Sequence, residues 1–142
     1  MRSKPFIVGF FAVVAVMAAA SVYFSAKVDR ADRALTASVA PDNKFKAVTI
    51  RISSGGAKPF CFNSVSVLLA VYPDEFALRE KAYEVFAAPC GSFVNGQVSP
   101  KLEWLSGKAL QITHKPAADA KAPRLKNIDV TRTVHVTFVA RE

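Results

Sequence analysis

The first apolar segment of the chain is long enough to span a membrane. Twenty consecutive residues from Pro5 to Phe24 carry no charged side chain, with Arg2 and Lys4 before them and Lys27 after them. At about 1.5 Å rise per residue, a helix of this length measures roughly 30 Å, the thickness of the hydrocarbon core of a bilayer. The pattern therefore predicts a transmembrane anchor within residues 1–26.

The same segment also fits a cleavable signal peptide. Its apolar core would run from Phe6 to Met17, and the alanines at 18–20 offer small residues for cleavage. Basic residues are similar in number on both sides, so the positive-inside rule does not decide the orientation. Because a short basic region before an apolar core is how export signals begin, we expect the C-terminal part to be exported. The predicted location is a membrane, crossed once, with the C-terminal domain on the exported side.

After this segment, apolar and polar residues alternate in five short runs that are typical of β-strands. In chain order, the runs are 44–52, 64–71, 101–104, 110–112 and 132–140. Two apolar faces near the end of the second run predict a central strand covered on both sides. In the first run the apolar positions slip between Ala47 and Val48, which predicts a bulge or a marked twist. Ser106 and Gly107 supply turn chemistry and predict a hairpin between the third and fourth runs.

The remaining segments are expected to be helical or irregular. Pro73-Asp74-Glu75 resembles a helix start, with Asp74 accepting hydrogen bonds from the first free amides, and predicts a short helix near 75–81. Residues 27–39 have mixed charge and predict a solvated linker that could continue the membrane helix. Residues 114–127 contain two prolines without apolar periodicity and predict a mobile surface loop. The expected fold is mainly β: an anchor, a linker, and an antiparallel β-sandwich-like domain over 40–142 with at most one short helix.

Composition and charge exclude several classes of protein. The 142 residues are 51% hydrophobic and 21% charged, which is typical of a packed protein and not of a disordered chain. The formal charge is +8, but residues 40–142 carry only +5, from 14 basic and nine acidic side chains. This charge is ordinary for a soluble domain. A nucleic-acid partner is not expected, because the basic loop has no aromatic residues for stacking and the domain is expected outside the cytoplasm.

Two cysteines are the strongest chemical signal in the chain. Cys61 and Cys90 are the only ones, and in an exported domain of this size they most simply form one disulfide. The alternative is two free thiols, with Cys61 buried as a small apolar side chain. Their spacing excludes a CxxC redox motif, and a second pair for a zinc site is lacking.

No catalytic, cofactor or metal motif is recognisable in the sequence. His114 and His135 are the only histidines, and we expect His135 at an ordinary position on a strand. Trp104 is expected in the core, with Glu103 facing solvent. A small hydrolytic or metal-dependent enzyme would require the two histidines, Asp42 and Glu103 to converge, and this remains an alternative.

Four basic residues in the predicted loop could contact an anionic surface. If the loop folds back to the membrane, each would contribute roughly 1 kcal/mol near charged lipid headgroups. The alternative is a solvated loop. These residues are Lys115, Lys121, Arg124 and Lys126.

The segment Ala40-Pro41-Asp42-Asn43-Lys44-Phe45-Lys46-Ala47-Val48 resembles the opening of a TolB-type propeller blade. With the glycine-alanine turn at 54–57, the valine-rich strand and the 104–112 hairpin, it is similar to small bacterial membrane-anchored proteins of unknown function. Asn43 stands where such openings usually have glycine, and the chain is too short for a full propeller. The resemblance implies a single antiparallel β domain on a membrane stalk, and it transfers no catalytic residue. With the predicted span, it implies a single-pass protein of the bacterial inner membrane with a periplasmic or extracellular C-terminal domain.

These observations together predict a non-enzymatic, membrane-anchored envelope protein that acts by contact with another protein or the membrane surface. A secreted soluble factor, released by cleavage of the N-terminal segment, is the alternative of the same class. No cofactor is expected.

Overall fold

The computed structural model describes residues 13–18, 31–116 and 123–142. Residues 13–18 are helical. No helix in these ranges is both long and apolar enough to cross a membrane. The predicted span over 5–24 and its cleavage site lie mainly outside the described residues, so the anchor stays a prediction. The β domain occupies Asp32–Glu142.

The described part of this domain is mainly β. The strands are β1 Asp32–Val39, β2 Phe45–Ser54, β3 Phe60–Leu69, β4 Glu84–Pro89, β5 Gly91–Ser92, β6 Val98–Ser99, β7 Lys101–Ser106, β8 Ala109–His114, β9 Arg124–Leu125 and β10 His135–Ala140. A five-stranded antiparallel sheet has the order β1-β2-β3-β4-β9, a three-stranded sheet has the order β10-β8-β7, and β5 pairs with β6. A short α-helix, Phe76–Arg79, and a 3₁₀ helix, Lys81–Tyr83, connect β3 to β4.

Two apolar clusters hold these elements together. The larger lies between the two sheets, and side chains of both contribute to it: Phe45, Ala47, Val65, Val67, Val85, Phe86, Ala88, Leu110, Ile112, Val134 and Val136, with Ala40 beside them. The smaller, which we call the outer cluster, packs the short helix on the other face of the five-stranded sheet: Val48, Ile50, Leu68 and Ala77, flanked by Leu35, Ile52, Tyr72, Phe76, Leu78 and Tyr83. Because burying apolar surface is the main favourable term in folding, both faces of this sheet stabilise the domain.

The two covered faces explain the slip of apolar positions in β2. Ala47 belongs to the core between the sheets and Val48 to the outer cluster, and both are fully buried. The β2 register with β1 and with β3 runs without interruption. Of the expected bulge or marked twist, the bulge is therefore wrong, because adjacent apolar residues in a strand buried on both sides need no irregularity.

Strand β1 corrects the predicted boundary between linker and domain. Residues 27–39 were expected to form a solvated spacer, yet Asp32–Val39 pairs antiparallel with β2 along its whole length. Leu35 packs against the outer cluster, and the Trp104 indole Nε1 donates a hydrogen bond to the Ser38 carbonyl at 3.0 Å. These contacts place the start of the β domain eight residues before the expected position at 40.

The last strand corrects the expectation of a wholly antiparallel domain. β10 pairs in parallel with β8, and Val136 lies opposite Leu110. Parallel neighbours need a connection of about a dozen residues or more, and the long segment between β8 and β10 supplies it. Val134 and Val136 are buried and His135 is exposed, so the predicted alternation is confirmed, although the strand begins at His135 instead of 132.

The remaining strand predictions are confirmed with adjusted ends. β7 and β8 form the predicted hairpin around Gly107. β3 carries Val65 and Val67 on the core face and Leu68 on the opposite face, as expected of a central strand. The strand ends at Leu69, where it lies opposite the first residue of β2, and Val71 beyond it is 85% exposed.

The helical segment is shorter and capped differently than expected. One helix over 75–81 was predicted, but Glu80 leaves helical geometry at φ −103° and ψ 86°, so two short helices result. Asp74 caps no amide with its side chain. Its carboxylate instead forms an ion pair with the Lys46 ammonium of β2 and so ties the helical segment to the sheet.

The Lys46–Asp74 pair predicts an asymmetry between two substitutions. The Lys46 side chain is only 10% exposed and the Asp74 side chain is 37% exposed. D74A leaves a buried ammonium without its partner and is expected to lower the free energy of unfolding by about 2 kcal/mol. K46M keeps the packing and leaves only a hydrated carboxylate, so we expect a loss below about 1 kcal/mol. Urea unfolding of both variants checks the order, and a larger loss for K46M would contradict it.

Candidate functional site

The predicted disulfide is confirmed. Cys61, in β3, and Cys90, directly after β4, are bonded, with their Cα atoms 5.3 Å apart. The Cys90 amide also donates to the Cys61 carbonyl at 3.1 Å. The bond therefore links two neighbouring antiparallel strands of the five-stranded sheet. Its role is structural, and no free thiol remains among the described residues.

Of the four predicted basic residues, the structure describes Lys115, Arg124 and Lys126, and it pairs the charge of Arg124 with an acid. Arg124, in β9, pairs with Glu84 at 3.0 Å, and Lys81 lies 3.5 Å from the same carboxylate. The Lys115 amide donates to the Ser99 hydroxyl at 3.0 Å, and Lys126 is exposed beyond β9. Lys121 lies outside the described residues. Contact of this set with an anionic surface stays a prediction.

The histidines lie at opposite ends of a strand pair. His114 ends β8 opposite Ala140, and His135 begins β10 opposite Ala109. The two histidines are therefore five residues apart along the strand direction, which corresponds to about 16 Å. His114 is buried and His135 is exposed, and Trp104 and Glu103 take the predicted core and solvent sides. The convergence that the metal-dependent alternative requires is absent here, and no metal-binding cluster occurs in the described residues.

A polar groove lies beside the turn between β5 and β6. It encloses about 410 Å³ between Asn95, Gln97 and the outward side chains of β7 and β8. Two bases, Lys101 and Arg141, are balanced in its lining by two acids, Glu103 and Glu142. The described lining therefore carries no net formal charge and gives no reason to favour an anion or a cation.

A buried carboxylate organises the loop before β10. Asp129 is 2% exposed, and its oxygens accept from the amides of Thr131, Thr133 and Val134 at 2.7–2.9 Å and from the Thr131 hydroxyl. Burial acts to raise the pKa of Asp129, but these hydrogen bonds outweigh it and hold the pKa below its usual range. Arg132, at φ 58°, completes the turn. The loop is therefore fixed by a carboxylate that must stay ionised.

The free edge of β1 is the site that the described structure leaves available for binding. The Ala40 amide donates to the Phe45 carbonyl at 2.9 Å, so this opposed pair is hydrogen bonded. Opposed pairs alternate between bonded and non-bonded in an antiparallel ladder. The register then directs the even-numbered residues of β1 toward β2 and the odd-numbered ones away from it. The outward N–H and C=O groups are those of Arg33, Leu35, Ala37 and Val39.

Three other edges among the described strands carry protection that residues 34–39 of β1 lack: those of β9, β7 and the first half of β10. β9 has two residues, and β7 carries Lys101, Glu103 and a register shift after Trp104. The first half of β10 is covered, since the Val136 amide donates to the Asn127 carbonyl. Proteins protect sheet edges by such short strands, charges, bulges and covering loops. β1 instead offers eight regularly paired residues, and 34–39 contain no charge and no proline.

The side chains of β1 give its two faces different character, one mainly apolar and one mainly polar. Arg33, Leu35, Ala37 and Val39 lie on the face of the outer cluster, and Val39 is 50% exposed. Thr36 and Ser38 lie on the opposite face. The sequence carried this signal, because 35–39 alternate between apolar and polar residues. The mixed charges just before them concealed it.

Comparison with known proteins supplies no guide to the role of this edge. No family model, no curated protein and no solved structure matches the chain.

Proposed function

We propose that this protein is a non-enzymatic, membrane-anchored envelope protein that binds a protein partner by adding a strand to the free edge of β1. The eight-residue edge, which no other described strand covers, carries the proposal. An extended segment that pairs with it would satisfy the outward backbone groups of Arg33, Leu35, Ala37 and Val39. Main-chain hydrogen bonds then provide affinity, and alternate side chains provide specificity.

Two further observations support the envelope location. The Cys61–Cys90 disulfide suits an oxidising compartment such as the periplasm or the cell exterior. The uncharged stretch over 5–24 has the length of a single membrane span. In this proposal the anchor holds the domain at the membrane, and β1 begins a few residues after the predicted span.

The alanine run at 18–20 favours a second candidate, in which the same domain is released as a soluble factor. Cell fractionation combined with N-terminal sequencing of the mature protein separates the two. We expect the protein to be membrane-bound and to retain its first residues. A soluble protein that begins near Ser21 would contradict the anchored form and support the released one.

Photo-cross-linking in cells tests the contact at the edge. A photoreactive residue at Thr36, on the edge strand, is expected to capture a protein, whereas the same residue at Thr137, on the three-stranded sheet, is not. Adding A37P should abolish capture, because proline removes an outward N–H that β2 does not use. A37T keeps this N–H and is the matched control.

A second blocking variant guards against loss of the fold. A37K adds a charge at the exposed edge without touching the backbone, and it should abolish capture while the melting temperature stays within about 2 °C, as for most surface changes. Capture at Thr36 that persists in both A37P and A37K, or capture at Thr137 alone, would contradict the proposal.

A further inference from the structure

The edge of β1 is complementary to a second copy of itself. A two-fold axis through Thr36 would place two β1 strands antiparallel, with Arg33 opposite Val39 and Leu35 opposite Ala37. These are the four residues with outward N–H and C=O groups, so each such group meets a partner in a hydrogen-bonded pair. Thr36 would face its own symmetry mate, a favourable cross-strand pair.

Charge favours this arrangement over a parallel one. The only charged residues of β1 are Asp32 and Arg33, both at one end. Antiparallel pairing moves the two Arg33 side chains to opposite ends of the interface, next to Val39 of the other copy. Parallel pairing in register would place identical charges side by side, which is destabilising.

The side chains agree with the same register. Directly opposed residues of an antiparallel pair share a face, so Leu35 and Ala37 of both copies would meet on the face of the outer cluster. The half-buried Leu35 would lose further contact with water there, and the exposed Val39 would cover the aliphatic part of Arg33.

We infer that the partner at this edge is a second copy of the chain, so that two five-stranded sheets join into one ten-stranded antiparallel sheet centred on Thr36. This inference rests on the proposed function, in that it names the occupant of the same edge. Isologous two-fold pairing closes on itself, so the product is a dimer and not a fibre.

Engineered disulfides test the register in the intact protein, purified in detergent micelles. Opposed Cα atoms of a non-hydrogen-bonded pair are about 4.5 Å apart, so T36C should form a dimer linked across the axis. A34C is the matched control, because the inferred register separates its two copies by about 13 Å. Mixing A34C with S38C should restore linkage, since these residues would be opposed.

We expect T36C to cross-link at least about tenfold faster than A34C, because disulfides need Cα atoms within about 7 Å, and A37K should remove this difference. Equal rates for T36C and A34C, or a monomer in sedimentation equilibrium, would overturn the inference. If photo-cross-linking at Thr36 then captures a different protein, the proposed edge function stands and only the second copy is wrong. If it captures nothing, both fail.

Discussion

Replacing Cys61 and Cys90 together by alanine lowers the free energy of unfolding by about 3 to 4 kcal/mol. The two cysteines are 29 positions apart, and the bond restricts the unfolded chain by closing this loop. The loss is a large part of the stability of a domain this size and lowers the melting temperature by about 15 °C. Thermal and urea unfolding of the double variant measure it.

Reduction of the unsubstituted protein provides the control for this prediction. It breaks the same bond without changing a side chain volume, so its effect should match that of the double variant. A loss below about 1 kcal/mol would mean that hydrogen bonds between β3 and β4 alone hold the sheet, against the loop-closure estimate.

The second large effect is expected at Asp129, where D129N lowers the free energy of unfolding by about 3 kcal/mol. Each carboxylate oxygen accepts two hydrogen bonds, and asparagine replaces one oxygen by an NH₂ group that faces donors. At least one backbone amide then loses its acceptor, and the charge-assisted bonds are gone. T131V is the matched control, because it removes only the hydroxyl bond and should cost about 1 kcal/mol.

The pH dependence of the D129N effect has a definite sign. The pKa of Asp129 is lowered in the folded protein, so the unfolded state takes up a proton first as pH falls. The stabilisation by Asp129 is fully present above the unfolded value of about 3.9 and is lost as pH falls through the folded value. The difference in melting temperature between native protein and D129N should therefore hold from pH 7 to about pH 4 and narrow below that. A difference that stays constant or widens would contradict the role of the carboxylate.

The sequence was sufficient to predict the elements that depend on a local pattern of residues. Val65 and Val67 alternate with serines, and Val134 and Val136 flank His135. In each strand the valines lie on the face that is buried in the core. Cys61 and Cys90 could be paired because only one pairing exists. The Ser106–Gly107 turn defined the hairpin because local turn chemistry determines such connections.

What escaped prediction depends on distant parts of the chain. β8 and β10 pair in parallel, and a long connection joins them. The alternation of apolar and polar residues in a strand does not indicate the direction of its neighbour. Asp74 is a good capping residue by local rules, yet the buried Lys46 ammonium takes its carboxylate. The β1 edge becomes a candidate site by comparison with the protected edges of β7, β9 and the first half of β10, and this comparison requires the sheet order.

Hydrogen exchange at single-residue resolution along β1 tests the central claim most directly. The amides of Ala34, Thr36 and Ser38 point toward β2, and those of Leu35, Ala37 and Val39 point outward. In protein labelled in native membranes, both sets should be protected, and A37K should release the outward set alone. If the outward amides exchange equally fast in the native protein and in A37K, the edge of β1 is unoccupied and binding along it is contradicted.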